Sequence, residues 1–234
     1  MKKERDALGL FLAEGHKCVV DLLPAFPLEN LICTQEWVQK NPELASRYES
    51  KILISDRRGL EIISSLKSLP DVIAVFKKPS QLENAEPSSQ TVLLLDEIQD
   101  PGNLGTIIRS CDWFGVYEIY ASGSTADAFS PKVVQATMGS LARVKVNYVD
   151  LSKLIDENRD YKVVGTLLDG TPLKKADLSG KTFIIMGNEG RGISEELKRK
   201  IDVPVTIPPS NPTSHPDSLN VAIATAIILS NIPT

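Results

Sequence analysis

Thr91-Val92-Leu93-Leu94-Leu95-Asp96-Glu97-Ile98-Gln99-Asp100-Pro101-Gly102-Asn103-Leu104-Gly105-Thr106-Ile107-Ile108-Arg109 decides the fold class. Its opening run is apolar without polar alternation, the pattern of a strand covered on both faces. Pro101-Gly102 is a turn signal, Asn103 is a good N-cap, and Arg109 falls in the second turn of the helix that follows. The same rhythm continues downstream. Near-continuous apolar runs lie at residues 116–120, 144–148, 162–167, 182–186 and 203–207. Helical patterns separate most of them, at 105–114, 131–141, 194–200 and 219–229. Residues 91–234 therefore read as an α/β domain built on a parallel sheet.

Upstream, residues 79–90 are rich in Pro, Ser and charge and read as a linker. Before it, residues 1–78 alternate short apolar runs (31–33, 52–55, 72–76) with helical patterns (19–23, 36–40, 60–66), which predicts a small α/β domain. Composition narrows the class. Of 234 residues, 42% are hydrophobic and 24% charged, which excludes a disordered or fibrous chain. The longest apolar run, near Val221 to Leu229, is too short to span a bilayer, so no membrane is expected. Residues 1–6 lack the apolar core of a secretory signal. Cys18, Cys33 and Cys111 are odd in number and widely spaced, which fits neither disulfides nor a metal site and points to a reducing cytoplasm.

Net charge is −4, from 26 Lys and Arg against 30 Asp and Glu. Residues 1–80 hold 12 cations and 11 anions, a net of +1, and the remainder holds 14 and 19, a net of −5. No strong basic footprint is present, so nucleic-acid contact would be confined to patches such as Arg57-Arg58 and Lys77-Lys78.

Ligands of a parallel α/β sheet bind beyond the carboxyl ends of its strands. Three such ends are unusual here. The first is the 96–109 segment, where Arg109 sits among apolar neighbours and a buried guanidinium would need a partner or ligand. The second is Met186-Gly187-Asn188-Glu189-Gly190-Arg191-Gly192-Ile193, whose three glycines suit a tight loop with close backbone approach. It is neither GxGxxG nor a P-loop. The third is the Pro-rich loop from Pro208, which ends in Asp217 or Ser218; either can cap a last helix that is apolar nearly all round. Such a helix belongs in a core or at a subunit interface, and Asn220 in it is anomalous. His16 and His215 have no local catalytic partners, and Lys198-Arg199-Lys200 reads as a solvated helix end.

Three segments in order resemble the motifs of the SpoU (SPOUT-class) RNA 2′-O-ribose methyltransferases: residues 100–109, residues 186–193, and Ile207-Pro208 followed by Ser218-Leu219-Asn220-Val221-Ala222-Ile223-Ala224. Residues 130–140 are similar to the family's intervening segment. Residues 1–80, opening with Phe11-Leu12-Ala13-Glu14-Gly15, more weakly resemble its ribosomal-protein-like RNA-binding domain. The stretch 209–217 is longer and richer in proline than the family usual. The resemblance implies a C-terminal trefoil knot, a homodimer, S-adenosyl-L-methionine as cofactor, and ribosomal or transfer RNA as substrate. By position it implies that Gly187, Ile207 and Leu219 contact the cofactor, with Thr166 and Leu167 on its adenine side. Asn103, Arg109, Glu189, Ser218 and Asn220 would form the catalytic face. The family assigns the arginine matching Arg109 as base; a guanidinium holds its proton too tightly for that role, which favours charge stabilisation instead. Two other classes compete. A non-catalytic RNA-binding or assembly factor would not be expected to keep Arg109, Glu189 and Asn220, and a dinucleotide oxidoreductase would need GxGxxG after Leu95.

Overall fold

Residues 2–79, 86–211 and 216–233 are described by the structure, a computed structural model; half of the expected linker (80–85) and residues 212–215 of the Pro-rich loop, including His215, lie outside them. Two units are resolved, one formed by residues up to 79 together with Asp127–Arg143, the other by residues 86–126 and 144–233.

The first unit runs α1 (Lys2–Leu8), β1 (Leu10–Glu14), α2 (His16–Leu22), β2 (Leu28–Cys33), α3 (Gln35–Lys40), α4 (Pro42–Arg47), β3 (Ile52–Ile54), α5 (Arg57–Ile63) and β4 (Val72–Lys77). Its sheet has the order β1-β4-β2-β3, with β4 antiparallel to both neighbours and β3 parallel to β2. Buried Glu14, at the end of β1, accepts hydrogen bonds from Ser64 Oγ at 2.6 Å and from Ser65 N and Oγ at 3.1 and 2.6 Å. A carboxylate so satisfied can be buried, and it fixes the chain after α5 to the sheet. His16 Nδ1 accepts from Trp37 Nε1 at 3.3 Å, which gives that histidine a structural role.

The second unit begins with β5 (Thr91–Leu95), α6 (Pro101–Trp113) and β6 (Glu118–Ala121). The chain then enters the first unit as α7 (Pro131–Thr137), which packs on β1, with Phe129 against Phe11 at 4.9 Å between ring centres. Residues 127–143 were expected within the second domain; apolar contact with β1 places them in the first unit. The helix expected to reach 141 ends at Thr137, because Met138 and Gly139 are left-handed at φ 51° and 90°. A Cβ at Gly139 would lie 2.5 Å from Asp21 Oδ2.

The chain returns as β7 (Lys145–Tyr148), α8 (Leu151–Glu157), β8 (Lys162–Pro172), β9 (Thr182–Met186), α9 (Glu195–Lys198), β10 (Val203–Thr206) and α10 (Val221–Leu229). All six strands are parallel, in the order β10-β8-β9-β5-β6-β7. Val92, Leu94, Phe183 and Ile185 on one face pack with Leu151, Leu154 and Ile155 of α8 and Leu197 of α9. Each such side chain contributes about 1.5–3 kcal/mol on burial. Leu104, Ile107, Ile108 and Cys111 of α6 are buried, and α10 packs on α6. Successive strands depart from β5 toward β7 on one side and lie toward β10 on the other. The order thus switches between β5 and β9, where a ligand crevice is expected. Among the described residues no helix is long and apolar enough to cross a membrane, and all three cysteines are free and buried.

The end of the expected linker is docked. Buried Glu118 accepts from Ser88 N at 3.0 Å, from Ser89 N at 3.2 Å and from the Ser88 hydroxyl. Burial alone would raise the Glu118 pKa, but the hydrogen bonds from Ser88 and Ser89 outweigh it and hold the group below its ordinary value. A depressed carboxylate stabilises the fold above its unfolded pKa of about 4.3, and that stability is lost as pH falls through the lower folded value. Glu118→Gln should therefore lower the melting temperature at pH 7, with the gap to the parent closing on acidification below about pH 4.3. Melting curves across that range check it; a gap independent of pH would contradict it.

Candidate active site

The parallel register sets Leu95 beside Met186, and Asp96 N donates to Met186 O at 2.9 Å. Two loops therefore leave the sheet side by side at the switch point. The first leads into α6. Asp100, rather than Asn103, caps that helix: its carboxylate accepts from Asn103 N at 2.8 Å, with Pro101 in the first turn. Helix geometry starting at Pro101 leaves the Asn103 side chain free of capping.

The second loop, residues 187–193, is closed on itself. Asn188 and Gly192 exchange backbone hydrogen bonds at 3.0 and 2.8 Å, and Asn188 Oδ1 accepts from the N–H groups of Gly190 and Arg191 at 2.9 and 3.0 Å. Gly192 is left-handed at φ 70°. A Cβ on Gly187 would lie 2.3 Å from the Gly192 carbonyl carbon and the Ile193 nitrogen. The glycine at 187 is thus required by the loop's own backbone crossing. Buried Asp96 accepts from Ser194 N at 2.7 Å and secures the loop's exit.

A third element closes the arrangement. Asn220 Oδ1 accepts from Ala222 N and Ile223 N at 3.0 and 3.3 Å, so Asn220 caps α10, in place of Ser218 or Asp217. Its Nδ2 donates to Asn103 Oδ1 at 2.9 Å, and Asn103 Nδ2 donates to Glu189 Oε1 at 2.9 Å. Glu189, Asn103 and Asn220, from three separate motifs, form one hydrogen-bonded chain. The Asn220 amide that looked anomalous in an apolar helix is the cap and the link.

Arg109 is exposed, and among the described residues it has no hydrogen-bond or ion-pair partner. It lies six residues beyond Asn103, about 9 Å along the helix and about 120° around it, so it points away from that chain. Ser218 and Leu219 are exposed, and Ser218 makes no hydrogen bond to the three-residue chain. Thr166 Oγ1 donates to Ile185 O at 3.0 Å, and Leu167 packs partly buried against the core. Opposite them the register of β8 and β10 breaks: Gly165 pairs with Pro204, and Thr171 with Val205. Residues 166–170 thus stand out of the ladder beside the end of β9, and Ile207 follows β10 at the same end. Of the suggested RNA patches, Lys78 is mostly buried and paired with Asp6 at 2.7 Å, and Lys77 pairs with Glu29 at 3.2 Å. Arg57 reaches Asp71 at 3.4 Å, whereas Arg58 is exposed. Among the described residues, no group of three or more His, Cys, Asp or Glu is placed to hold a metal.

Asp100, Asp96 and Asn188 were not singled out from the sequence. Asp before Pro-Gly was a readable cap signal for Asp100; the other two show no local signal.

Residues 90–230 match the profile of the SpoU rRNA Methylase family. Among curated relatives, the chain is 31% identical over 231 residues to the 23S rRNA (guanosine(2553)-2′-O)-methyltransferase RlmP of Bacillus subtilis, spanning 97% of this chain and 90% of that one. It is 28% identical to the 23S rRNA (guanosine-2′-O-)-methyltransferase RlmB of Acinetobacter baylyi, covering 82% of each. The AdoMet-bound rRNA methyltransferase from Sinorhizobium meliloti superposes with a TM-score of 0.87 at 32% identity, over 99% of this chain and 89% of that one.

Removing the α10 cap by Asn220→Ala should cost about 1 kcal/mol, or about 2–4 °C in Tm for a chain of this size. Asn220→Asp keeps the acceptor and should hold Tm within about 1 °C of the parent. Calorimetry on the two variants checks the assignment; equal losses would show that the cap is not what Asn220 contributes.

Proposed function

The chain belongs to the SpoU rRNA methylase family, and from that premise we propose that it methylates a ribose 2′-hydroxyl of ribosomal or transfer RNA, using S-adenosyl-L-methionine. The observation that carries this is the Glu189–Asn103–Asn220 chain, in which all three family motifs meet in one hydrogen-bonded group.

The residues at the ends of β8, β9 and β10 fit the cofactor. Residues 166–170 leave the regular ladder, and although Leu168 O is held by Thr206 Oγ1, the stretch brings main chain to the end of β9, where it can face a base edge. Leu219 and Ile207 offer apolar surface, and Gly187 brings main chain without a side chain to the same end of the sheet. Gly187, Ile207, Leu219, Thr166 and Leu167 would hold it. When bound, this cofactor supplies an electrophilic methyl group on a sulfonium.

The chain's own groups must orient the ribose and accept the charge that develops as its hydroxyl loses a proton. Glu189 has one carboxylate oxygen fixed by Asn103 and the other available to a ribose hydroxyl. Arg109, exposed on α6, is assigned to stabilise the developing alkoxide. Ser218 is assigned to the substrate side. RNA contact through the first unit, in the manner of a ribosomal-protein-like domain, is assigned to the exposed Arg58 region. A homodimer is part of the proposal. Ile223 on α10 is 51% exposed, Leu219 is 50% exposed and Trp113 on α6 is 84% exposed, an unusual outward apolar set. A trefoil knot is also proposed. Its support is that β10 lies at the sheet edge, whereas α10, which follows it in the chain, packs on α6 next to the central strands. A ribosomal or transfer RNA substrate supports a cytoplasmic location as part of the proposal.

Loss of the gene should remove one 2′-O-methylated nucleoside from cellular RNA, read by nucleoside mass spectrometry. Arg109→Ala should lower single-turnover methyl transfer roughly 10²–10³-fold while leaving cofactor affinity within about twofold. Parental rates with saturating RNA would assign Arg109 to structure or binding. Ile223→Asp would bury a charge in the proposed interface and should yield monomer or aggregate by light scattering. A parent protein that is itself monomeric would rule out the dimer.

A further inference from the structure

Between β5 and α6, Glu97 adopts φ 60°, a left-handed conformation that residues with a Cβ seldom take. Its neighbours hold it there on every side. Its N–H donates to Ser122 Oγ at 2.9 Å, its carbonyl accepts from Asn188 Nδ2 at 2.9 Å, and its carboxylate pairs with Arg191. Asn188 and Arg191 bracket Glu189, and Asn188 Oδ1 ties the same turn through the N–H groups of Gly190 and Arg191. One strained residue therefore clasps both ends of the turn that presents Glu189 to Asn103.

Stability does not account for it. A glycine at 97 would take this backbone freely, and the Arg191 side chain is 68% exposed, where an ion pair contributes little. Strain that persists although glycine would relieve it is expected where it serves a site. We propose that Glu97 is a positioning residue for methyl transfer, acting through Asn188 and Arg191 to keep the Glu189 carboxylate within hydrogen-bond reach of Asn103. The proposal rests on the role given to Glu189 above. Asn188 sets the turn's depth against β5, and the Glu97–Arg191 pair sets its tilt. Loss of either leaves the loop closed by its own Asn188–Gly192 bonds but free to swing.

The test uses full-length protein in Glu97→Gly, Arg191→Ala and the double variant, with Glu189→Gln as control. Glu97→Gly should match or exceed the parent in Tm, so misfolding does not enter. Hydrogen exchange at residues 188–191 should nevertheless rise about threefold, and kcat should fall about tenfold, with KM for RNA and cofactor affinity within about twofold. Arg191→Ala should lower kcat similarly, and the double variant should be no worse than Glu97→Gly, as expected for two members of one contact. Arg191→Lys, which keeps the charge, should restore part of the rate. Unchanged exchange at 188–191, parental kcat in Glu97→Gly, or additive losses in the double variant would each overturn the proposal. Parental kcat in Glu189→Gln, with exchange raised by Glu97→Gly, would instead locate the failure in the role assigned to Glu189.

Discussion

The register of β5 against β9 is the constraint on which the site depends. Five consecutive pairs, from Thr91 beside Thr182 to Leu95 beside Met186, fix the two central strands so that they end level. Both strands are buried on both faces, and a slip of one residue would turn every side chain onto the opposite face. The loops that follow, 96–100 and 187–193, therefore start from fixed neighbouring points. Their tips need only short, locally determined turns to bring Asn103 and Glu189 within 2.9 Å.

Local devices then hold that geometry. Asp100 starts α6, the Asn188–Gly192 exchange closes the second loop, and Asp96 fixes its exit. Asn220 does two tasks with one amide, its oxygen capping α10 and its nitrogen holding Asn103. Packing of α10 on α6 brings these two asparagines together. The three-residue chain is thus assembled from helix starts and a strand end, where backbone direction is least free to vary.

Arg109 stands apart from this group. It shares α6 with Asn103 but faces out, near Trp113 and without a partner among the described residues. The Glu189–Asn103–Asn220 chain is complete within the second unit, and the guanidinium takes no part in it. RNA phosphate and ribose are suitable ligands for a planar cation of this kind.

The α/β class, the six strands of the second unit and the three site-bearing strand ends were legible in the sequence, because a sheet covered on both faces forces continuous apolar runs. The resemblance carried by three ordered motifs also singled out Asn103, Glu189 and Asn220, which the structure joins in one hydrogen-bonded chain. The start of α6 was misplaced by four residues and that of α10 by two. Asp100 and Asn220 compete as caps with Asn103 and Ser218, and only the backbone path chooses among near-equal acceptors. The division of units was not legible either. Residues 127–143 follow β6 in the chain, but their apolar side chains pack on β1, a contact made across more than a hundred residues. The serines at 88 and 89 read as linker composition until Glu118, thirty residues away, supplied their acceptor. Glu97 marks the limit most clearly. Nothing in its identity signals a left-handed backbone; Ser122, Asn188 and Arg191 impose it, and they meet only when the sheet has formed.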